Sequence, residues 1–378
     1  MNAKAKKILA AYKKLGGRIE TRGKVQLPKM SDFSLWYTPG VGTVSSHLAK
    51  HPKDARAFSI KKNSVAVVSD GSAVLGLGNI GPYGALPVME GKSLIFKNLA
   101  GIDAWPIVLD AHEPEEIIKI VKAIAPAFGG INLEDIAGPQ CFDIERRLIE
   151  ELDIPVMHDD QHGTAIVVLA AVINATKVVK KDVKKLKVAI LGAGAAGSGT
   201  ARLLRAYGIR DIVLADSKGI ISKHRTDLSG EKLALSKITN PRNVSGESSL
   251  MIKNADVLIG LSGGGAITPE EIKSMAPRSI VFAMANPIPE IMPDIAKKAG
   301  AMVIGTGRSD FPNQVNNSLV FPGVFRGALD RGVRKITEKM KLSAATALAS
   351  LIKRPTASNI LPTVLDKRVV PTIAKAIR

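Results

Sequence analysis

Two pairs of adjacent acidic residues follow apolar segments of this chain and could bind a metal ion. Glu134-Asp135 comes after a short apolar segment, and Asp159-Asp160 comes after Ile154-Pro-Val-Met157. Such segments are typical of buried strands, and the strands of an open α/β sheet end at a crevice. Neighbouring carboxylates repel each other, and a hard cation such as Mg²⁺ or Mn²⁺ relieves that repulsion. Alone, such pairs are usually solvated surface acids or residues at a helix N-terminus. The nearby His158 and His162 could indicate a softer metal, but such histidines more often only form hydrogen bonds within a loop.

A glycine-rich stretch predicts a dinucleotide site. Val188-Ala-Ile-Leu191 leads into Gly192, Gly194 and Gly197 at Gly-x-Gly-x-x-Gly spacing, a helical pattern follows, and the next apolar segment ends at Asp216. In such a unit the helix N-terminus faces a pyrophosphate and the acid accepts hydrogen bonds from the adenosine ribose. The predicted cofactor contacts here are Gly192, Gly194, Ala195, Ala196, Gly197, Asp216, Ser217 and Lys218.

The choice between NAD and NADP depends on Asp216 and the residues after it. A carboxylate at this position repels the 2′-phosphate of NADP and therefore favours NAD. Ser217 comes next, and Lys218, Lys223 and Arg225 could each neutralise such a phosphate. We expect NAD to be used, with NADP also accepted, and the residue types leave the preference open.

The elements that must position these residues form two α/β units. Short strand and helix patterns alternate from residue 188 onward, which is typical of a doubly wound parallel sheet. We expect an N-terminal α/β domain over residues 1–162, which contains both acid pairs. A Rossmann-type domain with a doubly wound parallel sheet and C-terminal helices is expected over residues 163–378.

Composition narrows the class of protein. The chain has 378 residues and 46% hydrophobic content, enough for a large core. It has no run of about 18 uncharged apolar residues, so we expect no membrane span. The N-terminus lacks an apolar signal core, and the single cysteine, Cys141, fits a reducing compartment. The expected location is the cytoplasm.

The net charge of +19 would attract anionic ligands and polyanions alike. The basic residues are spread along the chain, and an aromatic content of 4% offers little for stacking on single-stranded nucleic acid. We therefore interpret most of the charge as solvated helix faces. A basic nucleic-acid-binding protein is the alternative from a different functional class, and it leaves the acid pairs unexplained.

A set of motifs resembles the malic enzymes of the short prokaryotic type. Their joint occurrence is far more specific than the glycine pattern alone. The motifs follow the family's order: Trp36-Tyr-Thr-Pro-Gly-Val41, Leu75-Gly-Leu-Gly-Asn-Ile-Gly81, Met89-Glu-Gly-Lys92, Leu133-Glu-Asp135, His158-Asp-Asp-Gln-His-Gly-Thr164, Ala285-Asn-Pro287, and Asn316-Asn317 with Phe321-Pro-Gly323.

The resemblance implies roles for individual residues. Glu134, Asp135 and Asp160 match the family's ligands for Mg²⁺ or Mn²⁺. Lys92 matches its general base, and Tyr37 matches its general acid. The implied reaction is the NAD(P)-dependent oxidative decarboxylation of (S)-malate to pyruvate and CO₂. A malolactic-type or oxaloacetate-decarboxylating enzyme on the same scaffold is the alternative within the enzyme class.

Two further features come from the same resemblance. Asn286 and Asn317 match residues that hold substrate near the nicotinamide, so Asn286 is also expected to contact the cofactor. Animal-type relatives have a carboxylate-binding arginine where this chain has Asp70-Gly-Ser-Ala73, so that contact is missing at this position. The resemblance also implies a homodimer, and an amphipathic basic helix expected over residues 3–15 could supply a partner surface.

Overall fold

The computed structural model describes residues 3–74 and 76–378, so Leu75 of the Leu75–Gly81 motif lies outside the described residues. The first part of the chain forms α1 (Ala3–Leu15), α2 (Met30–Trp36), α3 (Gly40–Lys50), α4 (Ala55–Phe58), β1 (Ser64–Ser69), α5 (Gly81–Ala100), β2 (Asp103–Val108), α6 (Pro114–Ile124), β3 (Gly130–Leu133), α7 (Gln140–Glu151), β4 (Val156–His158) and α8 (Asp159–Val179). The remainder forms β5 (Lys187–Leu191), α9 (Ala195–Tyr207), β6 (Asp211–Asp216), β7 (Gly219–Ile220), α10 (Gly230–Ile238), α11 (Ser249–Ile252), β8 (Val257–Gly260), α12 (Pro269–Ser274), β9 (Ile280–Ala283), α13 (Pro293–Lys298), β10 (Val303–Thr306), α14 (Phe321–Arg331), α15 (Glu338–Ser350) and α16 (Val369–Ala376).

The first sheet is parallel and has the strand order β2-β1-β3-β4. Its central strands are fully buried Val, Ile and Leu segments, as expected for a parallel sheet covered by helices on both faces. In the register of β3 and β4, Leu133 lies beside His158. The two acid pairs that follow these strands therefore leave the sheet at the same edge.

The second sheet has the order β10-β9-β8-β5-β6-β7, parallel except for the short antiparallel edge strand β7. The chain passes from β5 to β6 on one side and to β8 on the other, which makes the carboxyl end of β5 a topological switch point. Nucleotides bind at such points in doubly wound sheets. The predicted fold class, an α/β protein with a doubly wound parallel sheet, is confirmed. The boundary after residue 162 stays a prediction.

Helix α8 links the two sheets. Its residues share one continuous core with Val65 and Val67 of the first sheet and with Val188 and Ile190 of the second. By length and composition alone α8 could cross a membrane, contrary to our expectation that no segment could. However, 83% of its most apolar window is buried inside the protein, which identifies α8 as a core helix.

Helix α5 is not recognisable in the sequence because glycine and proline interrupt it, with Pro87 inside the helix. Packing overrides this low helix propensity, since Met89 and Phe96 are fully buried in the core shared with α8. The positive φ of 64° at Gly101 ends the helix in a left-handed cap. Helix α5 thereby holds Lys92 below the edge of the first sheet.

Candidate active site

Lys92 lies buried between two carboxylates. Its Nζ donates hydrogen bonds to Glu134 Oε1 and, at 2.5 Å, to Asp159 Oδ2. The same nitrogen lies 4.5 Å from the centre of the Phe321 ring, a cation–π distance. Only 7% of the lysine side chain is exposed. The ammonium group is therefore enclosed by protein partners on three sides.

The charges of this cluster shift one another's protonation. Burial lowers the pKa of Lys92, but the carboxylates of Asp159, Glu134 and Asp160 outweigh burial and raise that pKa above its ordinary value. Burial raises the pKa of Glu134 and of Asp159, and the nearby ammonium opposes the rise. A bound metal cation would lower the pKa of Lys92. The side chains of the described chain act in the opposite direction, because they stabilise the ammonium form.

Glu134, Asp135 and Asp160 lie close enough together to hold a metal ion. One carboxylate oxygen from each falls within 4.8 Å of the other two. The backbone N–H of Asp135 donates to Asp160 Oδ2 at 2.9 Å, and Asn132 Nδ2 donates to Glu134 Oε2 at 2.9 Å. Asp135 adopts a positive φ of 53°, a conformation that aspartate tolerates. Three carboxylates of this kind fit a hard divalent cation.

The second acid pair belongs to a helix and not to a loop. Helix α8 begins at Asp159, so Asp159 and Asp160 both lie in its first turn. Carboxylates in the first turn are stabilised by the exposed N–H groups there. The family resemblance assigns no role to Asp159, although Asp159 contacts Lys92 directly. The first turn of α8 therefore carries two neighbouring acids with different partners. Asp159 contacts Lys92, and Asp160 lies close to Glu134 and Asp135.

The glycine-rich turn has the geometry of a phosphate-binding turn. Gly192 has a φ of 114°, and a Cβ there would lie 2.3 Å from the carbonyl oxygen of Leu261. A Cβ on Gly197 would lie 1.9 Å from Gly192 O, which makes a side chain impossible at that crossing. A Cβ on Gly194, by contrast, would meet no described atom within 4 Å, and α9 begins at Ala195. The open backbone at the start of this helix fits a pyrophosphate.

Asp216, at the end of β6, is neutralised by two basic residues. Arg225 Nη1 donates to Asp216 Oδ1 at 2.7 Å, and Lys232 Nζ donates to Oδ2 at 2.6 Å. The N–H of Lys218 also donates to Oδ1, at 2.9 Å. Burial raises the pKa of Asp216, but these donors outweigh burial and hold it at about 2. Lys232 is not among the residues singled out in the sequence. Of the predicted cofactor contacts, Ser217 and the side chain of Lys218 are exposed.

The two asparagines each lie close to a residue of the first part of the chain. Asn286 follows β9 at a cis Asn286–Pro287 peptide bond, and a Cβ on Gly76 of the first domain would lie 1.9 Å from its carbonyl oxygen. Asn317 lies beside the acid cluster: a Cβ on Gly163 would lie 1.9 Å from Asp159 Oδ1 and 3.2 Å from Asn317 Cβ. Both asparagines are half-buried. The structure thus brings Asn317 next to Asp159 and the Asn286 loop next to the glycine-rich Gly76–Gly81 loop.

Tyr37 lies in a different environment from Lys92. It follows α2, its side chain is 58% exposed, and its ring packs edge-on against Phe33 with centroids 5.3 Å apart. The hydrogen bonds found for Lys92 among the described residues go to the two acids and not to Tyr37. The predicted acid and base are therefore not brought into contact within one chain.

Comparisons with known proteins agree with this architecture. Residues 16–149 match the family model of the malic enzyme N-terminal domain, and residues 161–377 match that of the malic enzyme NAD binding domain. The NAD-dependent malic enzyme of Geobacillus stearothermophilus is 52% identical over 96% of this chain and 76% of its own length. The bifunctional malic/malolactic enzyme of Bacillus subtilis is 51% identical over 96% and 89%.

A solved structure shows the same fold along the whole chain. The crystal structure of an NAD-dependent malic enzyme from Thermotoga maritima has a TM-score of 0.95 and 47% identity, and the match covers 100% of this chain and 99% of that one. Both family models and this structure agree with the fold of this chain. The chain belongs to the malic enzyme family.

Proposed function

We propose that this chain catalyses the oxidative decarboxylation of (S)-malate to pyruvate and CO₂ with reduction of NAD(P)⁺. The observation that carries the proposal is the buried Lys92 between Glu134 and Asp159, directly beside the three-carboxylate cluster. This arrangement combines a proton-transfer group with ligands for a divalent metal. The glycine-rich turn supports a dinucleotide at the neighbouring sheet edge.

Glu134, Asp135 and Asp160 would hold the metal. Their oxygen donors and short mutual separations fit Mg²⁺ or Mn²⁺. When bound, the cation would polarise the C2 oxygen of malate and, after oxidation, the C2 carbonyl, which takes up the electrons of the C3–C4 bond as the C4 carboxylate leaves as CO₂. The anionic cluster would otherwise repel a dicarboxylic acid, so the same ion makes substrate binding compatible with these side chains.

Lys92 would move the hydroxyl proton. An amine can accept this proton only after its own extra proton has left, and Asp159 Oδ2 lies 2.5 Å from Nζ to receive it. The Lys92–Asp159 pair thus holds one proton between the two atoms. Glu134 keeps the amine oriented from the other side. With the proton removed, hydride can pass from C2 to the nicotinamide cofactor.

The remaining roles fall to residues at the crevice. Tyr37 would protonate C3 to give pyruvate, and Asn286 and Asn317 would hold the substrate near the nicotinamide, with Asn286 reaching the cofactor as well. Asn317 is supported by its position beside Asp159. Tyr37 is exposed in one chain, so it would have to approach the buried cluster to protonate C3.

For the nucleotide, we propose NAD as the preferred cofactor with NADP also accepted. Asp216 offers a carboxylate to a ribose hydroxyl, which favours NAD. Arg225 and Lys232 already neutralise that carboxylate, and the same two cations could pair with a 2′-phosphate beside it. Relatives of both kinds exist at similar identity, including the NADP-dependent malic enzyme of Halomonas elongata at 44%.

We also propose that the active form is a cytoplasmic homodimer. Helix α1 has no buried residue, and Ile8, Leu9, Tyr12 and Leu15 are all exposed on it. Helices α2 and α3 likewise bury none of their side chains. A second copy of the chain would cover this apolar surface. The buried, unpaired Cys141 is compatible with a reducing cytoplasm.

A malolactic activity is the second candidate, because the Bacillus subtilis relative is named a bifunctional malic/malolactic enzyme.

One steady-state experiment separates the malic-enzyme reaction from the malolactic reaction. The protein is assayed with (S)-malate and either NAD or NADP, with and without Mn²⁺, while nicotinamide absorbance, pyruvate and lactate are followed. We expect metal-dependent formation of pyruvate and reduced cofactor in equal amounts. Lactate without net cofactor reduction would contradict the proposal and favour the second candidate.

A further inference from the structure

A buried glutamate outside the ligand set organises the turn that carries Asp159 and Asp160. Glu145 projects from α7, and only 7% of its side chain is exposed. Its Oε1 accepts the backbone N–H of His158 at 2.7 Å. Its Oε2 accepts from Gln161 Nε2 at 3.2 Å and from the ring of His162 at 2.9 Å. All three donors lie within the junction of β4 and α8.

The direction of these hydrogen bonds is fixed by a lysine from the far end of the chain. Lys341 of α15 lies with Nζ 2.9 Å from His162 Nδ1. An ammonium group can only donate, so Nδ1 accepts and Nε2 must carry the ring hydrogen of a neutral imidazole. His162 Nε2 therefore donates to Glu145 Oε2. The chain of bonds runs in one direction, from Lys341 through His162 to Glu145.

Glu145 meets the requirements for a buried ionised group. Burial raises the pKa of Glu145, but its interactions with His162, Lys341 and His158 outweigh burial and lower that pKa to about 2. A carboxylate at this depth is costly unless it is fully hydrogen-bonded. Three donors from a single turn meet that need. In return, the carboxylate holds the backbone of the turn in one position.

Asp160 is therefore fixed from two sides. Its Oδ2 accepts the N–H of Asp135, and the turn that contains it is held by Glu145 through the N–H of His158. The ring of His158 is fully buried and lies with Nδ1 3.8 Å from Asp160 Oδ2. A shift of this turn would move Asp160 relative to Glu134 and Asp135, which follow a different strand.

We propose that Glu145 is a positioning residue for the metal site, and that with His162 and Lys341 it holds the β4–α8 turn so that Asp160 faces Glu134 and Asp135. This inference rests on the proposed metal site. It adds three residues, from α7, α8 and α15, that contact neither metal nor substrate. Partners of this kind usually change metal affinity by about 10- to 100-fold when they are replaced.

The test measures Mn²⁺ binding directly, without turnover. Free Mn²⁺ is followed by electron paramagnetic resonance during titration of the purified full chain in the absence of malate, and NADH affinity is measured in parallel by fluorescence. The variant Glu145→Gln keeps the size of the side chain but turns one accepting oxygen into a donor. We expect about a tenfold rise in the Kd for Mn²⁺ with an unchanged Kd for NADH.

A matched control separates positioning from general destabilisation. Glu290 is also fully buried, and it accepts the N–H groups of Ser262 and Ala285, each at 3.0 Å, but it lies at the ends of β8 and β9. Glu290→Gln should leave the Kd for Mn²⁺ within about twofold of the parent value. An equal rise in both variants would overturn the positioning role.

If Glu145→Gln does not fold, the variant Lys341→Met tests the same chain of hydrogen bonds at its other end. We then expect the Kd for Mn²⁺ to rise by about threefold. An unchanged Kd for Mn²⁺ in Lys341→Met would overturn the inference.

The underlying metal site is tested by a separate variant. Asp160→Ala should abolish Mn²⁺ binding in the range where the parent binds. If Asp160→Ala binds Mn²⁺ like the parent, the proposed ligand set is wrong. If Asp160→Ala loses binding while Glu145→Gln matches the parent, the ligand set stands and only the positioning role is wrong.

Discussion

Lys92 and Tyr37, the two residues proposed to transfer protons, lie in contrasting regions of the molecule. Lys92 is almost fully buried, and its ammonium group is held by two carboxylates and an aromatic ring. Tyr37 belongs to an N-terminal segment, residues 3–63, whose helices bury no side chain in the single chain. The proposed base and the proposed metal ligands thus lie together within one chain, whereas the proposed acid lies on an exposed segment of that chain.

This difference has an energetic consequence. In the buried cluster each charge depends on its neighbours, so a substitution there changes stability and chemistry together. In the N-terminal segment most side chains touch solvent, so a substitution can change chemistry or assembly while leaving the stability of the chain nearly unchanged. Substitutions at Asp160, Lys92, Tyr37 and Leu9 separate these two behaviours.

The largest effect is expected for Asp160→Ala. Loss of one of three ligands should remove the metal, and several kcal/mol of charge stabilisation correspond to a fall in kcat/KM of about 1,000-fold or more. Stability without metal should not fall, because Asp160 also raises the pKa of Glu134 by repulsion. Mn²⁺-dependent kinetics and thermal melts measure the two quantities. The exposed acid Asp143 on α7 provides the control variant Asp143→Ala, and retained Mn²⁺-dependent activity in Asp160→Ala would contradict the assignment.

Lys92→Ala should impair both activity and stability. Loss of a proton-transfer group lowers kcat by about 100- to 10,000-fold. Two buried carboxylates, Glu134 and Asp159, also lose their cation, which costs about 3 kcal/mol in the free energy of unfolding. Urea unfolding and steady-state kinetics test the pair of effects. Lys97→Ala is the control, because Lys97 lies on the same helix but is exposed, in an ion pair with Asp103. This variant should change activity and the free energy of unfolding only slightly. Equal stability losses in the two variants would argue against a strong Lys92 cluster.

Tyr37→Phe should change chemistry alone. The hydroxyl group is lost from an exposed position, so the free energy of unfolding should stay within about 0.5 kcal/mol of the parent value. If Tyr37 protonates C3, kcat should fall by about 100-fold. Solvent hydrogen exchange at C3 of pyruvate gives the more direct measurement and should slow in proportion. Tyr83→Phe, at a position 90% exposed, serves as the control. An exchange rate equal to that of the parent would assign the acid elsewhere.

The doubly wound sheet is predictable from the sequence because its signals are local. Each strand of the second sheet is a short apolar segment, and the turn at Gly192 directly precedes its helix. Helix α5 escapes prediction for the opposite reason. Its own residues are poor helix formers, and it forms because Phe96 and its neighbours pack into a core built from distant segments.

The residues of the candidate site also fall into two groups, those that the sequence reveals and those that only the fold reveals. Glu134-Asp135 and Asp159-Asp160 stand out because each pair is adjacent in the sequence. The partners of these acids do not: Lys341 reaches His162 across 179 residues, and Lys92 reaches Asp159 across 67. Residues that support a site through one hydrogen bond have no local pattern, and only the packing of α7, α8 and α15 reveals them. The neutralisation of Asp216 by Lys232 is hidden for the same reason.

The smallest effect on the single chain is expected for Leu9→Lys in α1. Leu9 is more than half exposed, so the free energy of unfolding of the monomer should change by about 0.5 kcal/mol at most. If a second copy buries this leucine, its loss removes about 1.5 kcal/mol or more from association, which raises the dimer Kd by about tenfold. Sedimentation velocity over a dilution series measures this Kd, and specific activity should fall over the same range of concentration, because Tyr37 lies in the segment that the dimer would cover. Met302→Lys, at another exposed apolar position after α13, should leave the dimer Kd unchanged. A parent chain that is monomeric and fully active at all dilutions would show that the N-terminal segment needs no covering surface, and Tyr37 would then have to reach Lys92 by movement within one chain.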